Sequence, residues 1–138
     1  MARLYLDSNI VMRLVEQPGS GPQAVAGRLA ALGGDGALHV ASDLVRMECL
    51  VKPLRDHDVS LVAMYETYFG STDVDVVGLT RAVCDRAATI RAEHGHKTPD
   101  PLHLAAAIEA GCDAFVTSDR HLATFPDIAV SLVGTDLV

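Results

Sequence analysis

Short apolar runs alternate along the chain with longer stretches in which apolar residues recur every three or four positions. The short runs predict strands at 3–7, 37–41, 74–78, 114–117 and 128–133. The longer stretches predict helices at 9–16, 22–32, 43–55, 59–69, 81–94 and 100–110, with a further turn at 120–124. Strands and helices alternating in this way define an α/β fold built on a parallel sheet. The punctuation agrees with that division. Gly19-Ser20-Gly21-Pro22 and Gly33-Gly34-Asp35-Gly36 break the first half, Thr80 reads as an N-cap, and Gly111 reads as a helix stop. The stretch 42–70 reads as a helical pair between the second and third strands, projecting over the carboxyl edge of the sheet.

Composition narrows the class. A chain of 138 residues fits a single domain, 1–138, able to bury a core without disulfides or a structural metal. With 49% apolar residues but only 4% aromatic and no Trp, the expected core is aliphatic and rich in alanine. Cys49, Cys84 and Cys112 are isolated and odd in number, which points to small buried hydrophobes in a reducing compartment and away from a disulfide framework or zinc ribbon. Met1-Ala2-Arg3 runs directly into the first strand and no apolar run reaches the length of a membrane span, so a soluble, cytoplasmic protein is expected. The net charge of −7 argues against binding nucleic acid through the overall field. It leaves room for a nuclease, because acids gathered at a metal site count as negative until cations bind.

Four acids stand in unusual places. Asp7 ends the apolar run Leu4-Tyr5-Leu6, at the carboxyl end of a strand where α/β proteins gather their ligands. Phe115-Val116-Thr117-Ser118-Asp119 repeats that arrangement, so Asp7 and Asp119 become neighbours if their strands are adjacent. As a local alternative, Asp119 caps the turn that follows it. Glu48 falls inside an arc defined by Leu44, Val45, Met47 and Val51 on a helical wheel, and a glutamate on a buried stripe needs a partner. An i,i+4 pair with Lys52 is the structural alternative. Thr98-Pro99-Asp100-Pro101 opens a helix with Thr98 as N-cap and Pro99 in its first position, and the helix dipole by itself favours an acid there. The rest of that helix is apolar almost all round, hence buried, which would deliver Asp100 to the inner end of a cleft. His103, one turn after Asp100, reads as a core histidine in preference to a ligand, and His94-Gly95-His96 as a solvated helix end. There is no Gly-rich phosphate loop and no serine nucleophile elbow.

Taken in order, Leu6-Asp7-Ser8-Asn9, Glu48, the run Thr98-Pro99-Asp100-Pro101-Leu102-His103-Leu104-Ala105-Ala106-Ala107 and Thr117-Ser118-Asp119-Arg120 resemble the motifs of PIN-domain ribonucleases, in particular the VapC-type toxins of bacterial toxin–antitoxin pairs. Ser118, where Asn is common, and Pro101, where a small residue is common, depart from the pattern without removing an acid. The resemblance implies a three-layer α/β/α sandwich around a central parallel sheet, usually dimeric, and a divalent-metal-dependent endoribonuclease inhibited by a cognate antitoxin. It implies that Asp7, Glu48, Asp100 and Asp119 hold Mg²⁺ or Mn²⁺, with Asn9 and Thr117 as hydrogen-bonding support. An antitoxin would place an Arg or Lys of a basic tail among the four acids and wrap the pair at 42–70. Leu61, Met64, Tyr65 and Phe69 either receive its apolar anchors or only pack that pair. Two other classes fit less well: a receiver domain needs a lysine after a late strand, which 117–121 lacks, and a dehalogenase-like phosphatase needs Asp where Asn9 stands. A non-catalytic PIN scaffold, or a housekeeping PIN nuclease without an antitoxin, remains the alternative. The crowding of four carboxylates further implies that at least one of them titrates high without metal, and that Asp7→Asn and Asp100→Asn leave the apo protein as stable as before or more so.

Overall fold

The computed structural model describes residues 1–34 and 36–133; Asp35 of the second Gly-rich turn and residues 134–138 lie outside the described residues. The chain runs β1 (Arg3–Leu6), α1 (Ser8–Glu16), α2 (Val25–Gly33), β2 (Leu38–Ser42), α3 (Asp43–Arg55), α4 (Val59–Phe69), β3 (Val74–Val77), α5 (Arg81–His94), α6 (Asp100–Glu109), β4 (Ala114–Thr117) and β5 (Ala129–Leu132), with one turn of 3₁₀ helix at Arg120–Leu122 before the last strand. All four strand pairings are parallel and the order across the sheet is β3-β2-β1-β4-β5. Leu4, Tyr5 and Leu6 in β1 are buried, as a central strand covered on both faces requires.

The strand order places the helices. The chain steps outward from β1 through β2 to β3, then returns across the sheet to β4 and continues to β5. Right-handed crossovers put the helices of the outward steps on one face and those of the return on the other. The packing agrees: α1 contacts α2, α3 and α4, whereas α5 packs chiefly against α6. The result is three layers, α/β/α. The connections leave β1 and β4 in opposite directions, so a crevice opens between their carboxyl ends, where open α/β sheets take their ligands. Asp7 follows β1 directly, and Asp119 follows β4 after Ser118.

α6 fills the other layer beneath this crevice. His103, Leu104, Ala105, Ala106 and Ala107 are essentially inaccessible, because three successive alanines let the helix approach the sheet closely. The core is less purely aliphatic than its composition suggests. Tyr5, Tyr65, Phe69, Phe115 and Phe125 are all buried, and Tyr5 stacks on Phe115 with ring centres 5.3 Å apart. The aromatics are few but concentrated, since each removes more area from water than any aliphatic residue. Of the cysteines only Cys49 behaves as a buried hydrophobe, while Cys84 is exposed and Cys112 intermediate.

Several boundaries differ from the pattern-based reading. α2 starts at Val25 and not at 22, because a turn closed by Ala24 N–H donating to Gly21 C=O occupies that stretch, with Gly21 at φ 82°. Gly27 is required there: a Cβ on it would lie 2.5 Å from the Gly21 carbonyl oxygen. On α3 the buried arc is Leu44, Val45, Cys49, Leu50 and Pro53, while Met47 and Val51 are about half exposed. The arc is rotated away from the predicted one, so Glu48 sits at its border and not on its centre. At α6 the N-cap is Pro99, Asp100 is the first helical residue, and Thr98 makes no cap; it instead accepts a hydrogen bond from Arg91. Thr80 does cap α5 through Val83 N–H, and Gly111, at φ 69°, follows the end of α6. Tyr65 and Phe69 face inward and pack the core, which removes them as surface anchors; Met64 on the same helix is exposed.

Candidate active site at the carboxyl edge

The four acids line one cavity of about 290 Å³, together with Ser8, Asn9, Met12, Pro99 and His103. No lysine or arginine is among these nine residues. β1 and β4 supply Asp7 and Asp119 from adjacent strands, α3 supplies Glu48, and the N-terminus of α6 supplies Asp100.

Asp7 is the most enclosed of them and has several structural duties. One carboxylate oxygen accepts from Ser8 N–H at 2.8 Å at the start of α1, and the other accepts from Thr117 Oγ1 at 2.8 Å. The Thr117 hydroxyl in turn accepts from Asp119 N–H at 3.0 Å, so a single buried hydroxyl ties the two strand ends together. Asn9 does the same from the α1 side, its Oδ1 accepting from Ser118 N–H at 3.3 Å. Asp119 accepts from His121 N–H at 2.9 Å and lies 3.1 Å from His121 Nδ1, so its local duty at the turn coexists with its place in the cavity.

Glu48 and Asp100 sit in opposite electrostatic situations. Burial tends to raise the Glu48 carboxyl, but hydrogen bonds from His103 and Ser8 and the influence of the imidazole outweigh it and hold the group below its ordinary value. Its Oε1 is 2.8 Å from His103 Nε2 and accepts from Ser8 Oγ at 2.5 Å. Among the described residues, Asp100 receives no side-chain hydrogen bond from the protein. Burial, then the charges of Asp119 and Asp7, raise its carboxyl above the usual aspartate value, with His103 and His96 opposing. The cavity therefore has a satisfied group, Glu48 with His103, and a frustrated one, Asp100. Asp7 borders both, 3.8 Å from His103 Nε2.

The donor set suits a hard divalent cation. All four charged groups are oxygen donors, and a cation would offset both the burial and the neighbouring charges that raise Asp100. Among the described residues, no three acidic, imidazole or thiol groups are drawn together tightly enough to form a ready-made cage. Mg²⁺ and Mn²⁺ keep several waters and need only one or two direct carboxylates, which this set would supply. Among the described residues Asp100 spends no lone pair on a protein donor, whereas Asp7, Glu48 and Asp119 each spend some of theirs.

Ser8 and Tyr5 are participants to which the sequence did not point, and His103, expected as a core histidine in preference to a ligand, is buried and hydrogen-bonded to Tyr5 and Glu48. The signal for His103 was its place three residues after Asp100, hence on the same helix face. Its apolar neighbours masked that signal.

With this geometry in hand, the chain's relatives become informative. Residues 4–128 match the PIN domain family, and the protein belongs to it. No curated protein sequence matches it significantly. Among solved structures it is similar to VapBC2 from Rickettsia felis bound to a promoter DNA fragment (TM-score 0.78, 12% identity, covering 96% of this chain and 99% of that one). It is also similar to DNA-bound VapBC from Salmonella typhimurium (TM-score 0.69, 18% identity, 95% and 98% covered). A third is VapC20 from Mycobacterium tuberculosis, a toxin that cleaves the sarcin–ricin loop (TM-score 0.64, 15% identity, 91% and 98% covered). At such identities the likeness speaks for the shared fold over nearly the whole of each chain.

Proposed function

We propose that the protein is an endoribonuclease that depends on Mg²⁺ or Mn²⁺ and serves as the VapC-type toxin of a toxin–antitoxin pair. The observation that carries this reading is the cavity at the β1/β4 crevice, with Asp7, Glu48, Asp100 and Asp119 on its wall and no lysine or arginine among its described lining residues. Membership of the PIN family and the likeness to VapBC assemblies and to an RNA-cleaving VapC support it.

The chain's own residues have distinct tasks in this reading. Asp7, oriented by Ser8 N–H and Thr117, presents a fixed oxygen to the centre of the cavity. Asp100, without a protein donor among the described residues, is free to ligate directly. Asp119 completes that side, and Glu48 faces them from α3. Thr117 and Asn9 hold the two strand ends in register. When bound, the cation supplies positive charge that acidifies a water and offsets charge building on the phosphodiester. None of these roles uses the ribose 2′-hydroxyl.

The test is cleavage of RNA by the purified protein with Mn²⁺ or Mg²⁺. The expected products carry a 5′-phosphate and a 3′-hydroxyl, and excess EDTA abolishes the reaction. Cleavage that survives EDTA, or 2′,3′-cyclic ends, overturns the mechanism. The toxin assignment is tested separately: the product of a short neighbouring gene with a basic tail is expected to copurify and to block cleavage. A neighbour that does neither leaves a PIN nuclease without an antitoxin.

A further inference from the structure

Behind Glu48 runs a buried polar chain that crosses four elements, α3, β2, β1 and α6. The Val45 N–H donates to Ser42 Oγ at 3.3 Å, Ser42 Oγ lies 2.8 Å from the Tyr5 hydroxyl, the Tyr5 hydroxyl lies 2.8 Å from His103 Nδ1, and His103 Nε2 lies 2.8 Å from Glu48 Oε1. Tyr5 and Ser42 are wholly inaccessible and His103 is 2% exposed. The direction of the chain is set at its open end. An ionised carboxylate only accepts, so His103 Nε2 carries the hydrogen. When the imidazole carries that one hydrogen, Nδ1 accepts from the Tyr5 hydroxyl, which accepts from Ser42, whose oxygen is also taken by Val45 N–H. Every donor has one acceptor, and among the described residues no buried side-chain polar atom is left over.

Such a chain is rigid for a reason beyond its hydrogen bonds. The Tyr5 ring stacks on Phe115 and meets the buried His103 ring edge-on, so neither can turn without leaving a buried polar group unpaired. His103 and Ser8 both bind Oε1 of Glu48, whereas Oε2 receives no protein donor among the described residues. One oxygen is thus held by two donors and the other is left open among the described residues.

Resting on the reading of the site given above, we infer that His103 is a positioning residue for Glu48. Anchored by Tyr5 and Ser42, it pins one carboxylate oxygen so that the other faces the cation and never swings into solvent. His103 touches neither RNA nor cation in this role.

The experiment compares wild type with His103→Leu, His103→Gln and Tyr5→Phe. It measures Mn²⁺ affinity by calorimetry without RNA, thermal midpoint without metal, and kcat and KM on a short single-stranded RNA. Groups that orient a metal ligand are worth roughly 10–100-fold in affinity or rate. His103→Leu is therefore expected to lose about that much in Mn²⁺ affinity and kcat, with KM for RNA unchanged. His103→Gln, whose amide can donate from the position of Nε2, is expected to recover most of the loss, and Tyr5→Phe to lose several-fold. A stability role alone would lower the thermal midpoint and leave Mn²⁺ affinity of the folded protein untouched. If His103→Leu binds Mn²⁺ and cleaves like the wild type, the inference is overturned and the nuclease reading stands. If the wild type itself neither binds Mn²⁺ nor cleaves, the nuclease reading falls and takes this one with it. Should His103→Leu not fold, Tyr5→Phe decides: a several-fold loss of affinity supports the inference and an unchanged affinity ends it.

Discussion

Asp7 and Asp100 carry the same charge into the same cavity, yet the protein treats them differently. Asp100 accepts no side-chain hydrogen bond among the described residues and is pushed up by burial and by the charges of Asp119 and Asp7. A carboxyl whose folded value lies above its unfolded one binds more protons when folded. Its contribution to stability is therefore most favourable below the unfolded value and declines as pH rises through the interval up to the raised folded value. Asp100→Asn removes that decline. In metal-free buffer its thermal midpoint should equal or exceed that of the wild type, with the advantage growing from about pH 3 to about pH 6, the range in which carboxyls titrate. Cleavage should be lost. An advantage that shrinks as pH rises would show that Asp100 is stabilised in its ionised form.

Glu48 should behave in the opposite sense. Its folded value is depressed, so its contribution is present above the unfolded value and is lost as pH falls toward the depressed one. Asp7 differs again, because both of its oxygens are engaged. An amide in its place turns an N–H₂ toward Thr117, whose own hydroxyl already accepts from Asp119 N–H. Asp7→Asn is thus expected to cost stability, on the order of 1 kcal/mol for a damaged hydrogen bond, as well as activity. The equivalence of the two acids suggested by crowding alone does not survive the hydrogen-bond pattern. A higher midpoint for Asp7→Asn in thermal denaturation would restore it.

Two helix caps illustrate how elements divide between scaffold and site. Thr80 caps α5 through Val83 N–H, and α5 contributes nothing to the cavity lining. Thr80→Ala should cost about 1 kcal/mol of stability, typical of an N-cap, while kcat of the folded enzyme stays as it was. Ser42 caps α3 in the same manner but also contacts Tyr5, at the root of the chain that reaches Glu48. Ser42→Ala should cost a similar amount in chemical denaturation and also weaken Mn²⁺ binding. Equal effects of the two alanine variants on metal affinity would separate α3's cap from the site.

For the whole molecule, the acidic cavity is one feature and the apolar surface of the α1–α4 layer is another. Leu14 and Val15 of α1 and Met64 and Tyr68 of α4 line an open groove of about 440 Å³. On α3, Met47, Val51 and Leu54 make an exposed apolar row. If the groove takes the apolar anchors of the proposed antitoxin, Met64→Asp should weaken copurification with it by at least ten-fold in concentration dependence, about 1.4 kcal/mol. RNA cleavage by the free protein should not change. Unaltered capture by Met64→Asp would move the anchors elsewhere. The row on α3 offers a second copy of the chain an apolar face, and light scattering is expected to show a dimer that Val51→Lys dissociates; a concentration-independent monomer would remove that expectation. Among the described residues no helix is long and apolar enough to cross a membrane.

The order of strands and helices was legible from spacing alone, because apolar periodicity and caps such as Thr80 act over three or four residues of the same segment. The acids after β1 and β4 were legible for a related reason: in a parallel sheet the end of a strand is an address, and Asp7 and Asp119 state it in their own segments. Other features were settled by distant parts of the chain. The face that α3 turns inward depends on α1, α4 and β2, which rotated the arc around Glu48 by enough to expose Met47 and Val51. His103 looked like a core residue because its neighbours in sequence are apolar, but its partners Glu48 and Tyr5 are 55 and 98 residues away. A buried polar side chain takes its meaning from whichever donor or acceptor the fold brings to it. Local pattern carries the scaffold and names the acids; the tertiary structure alone decides which of them is held, which is frustrated, and by what.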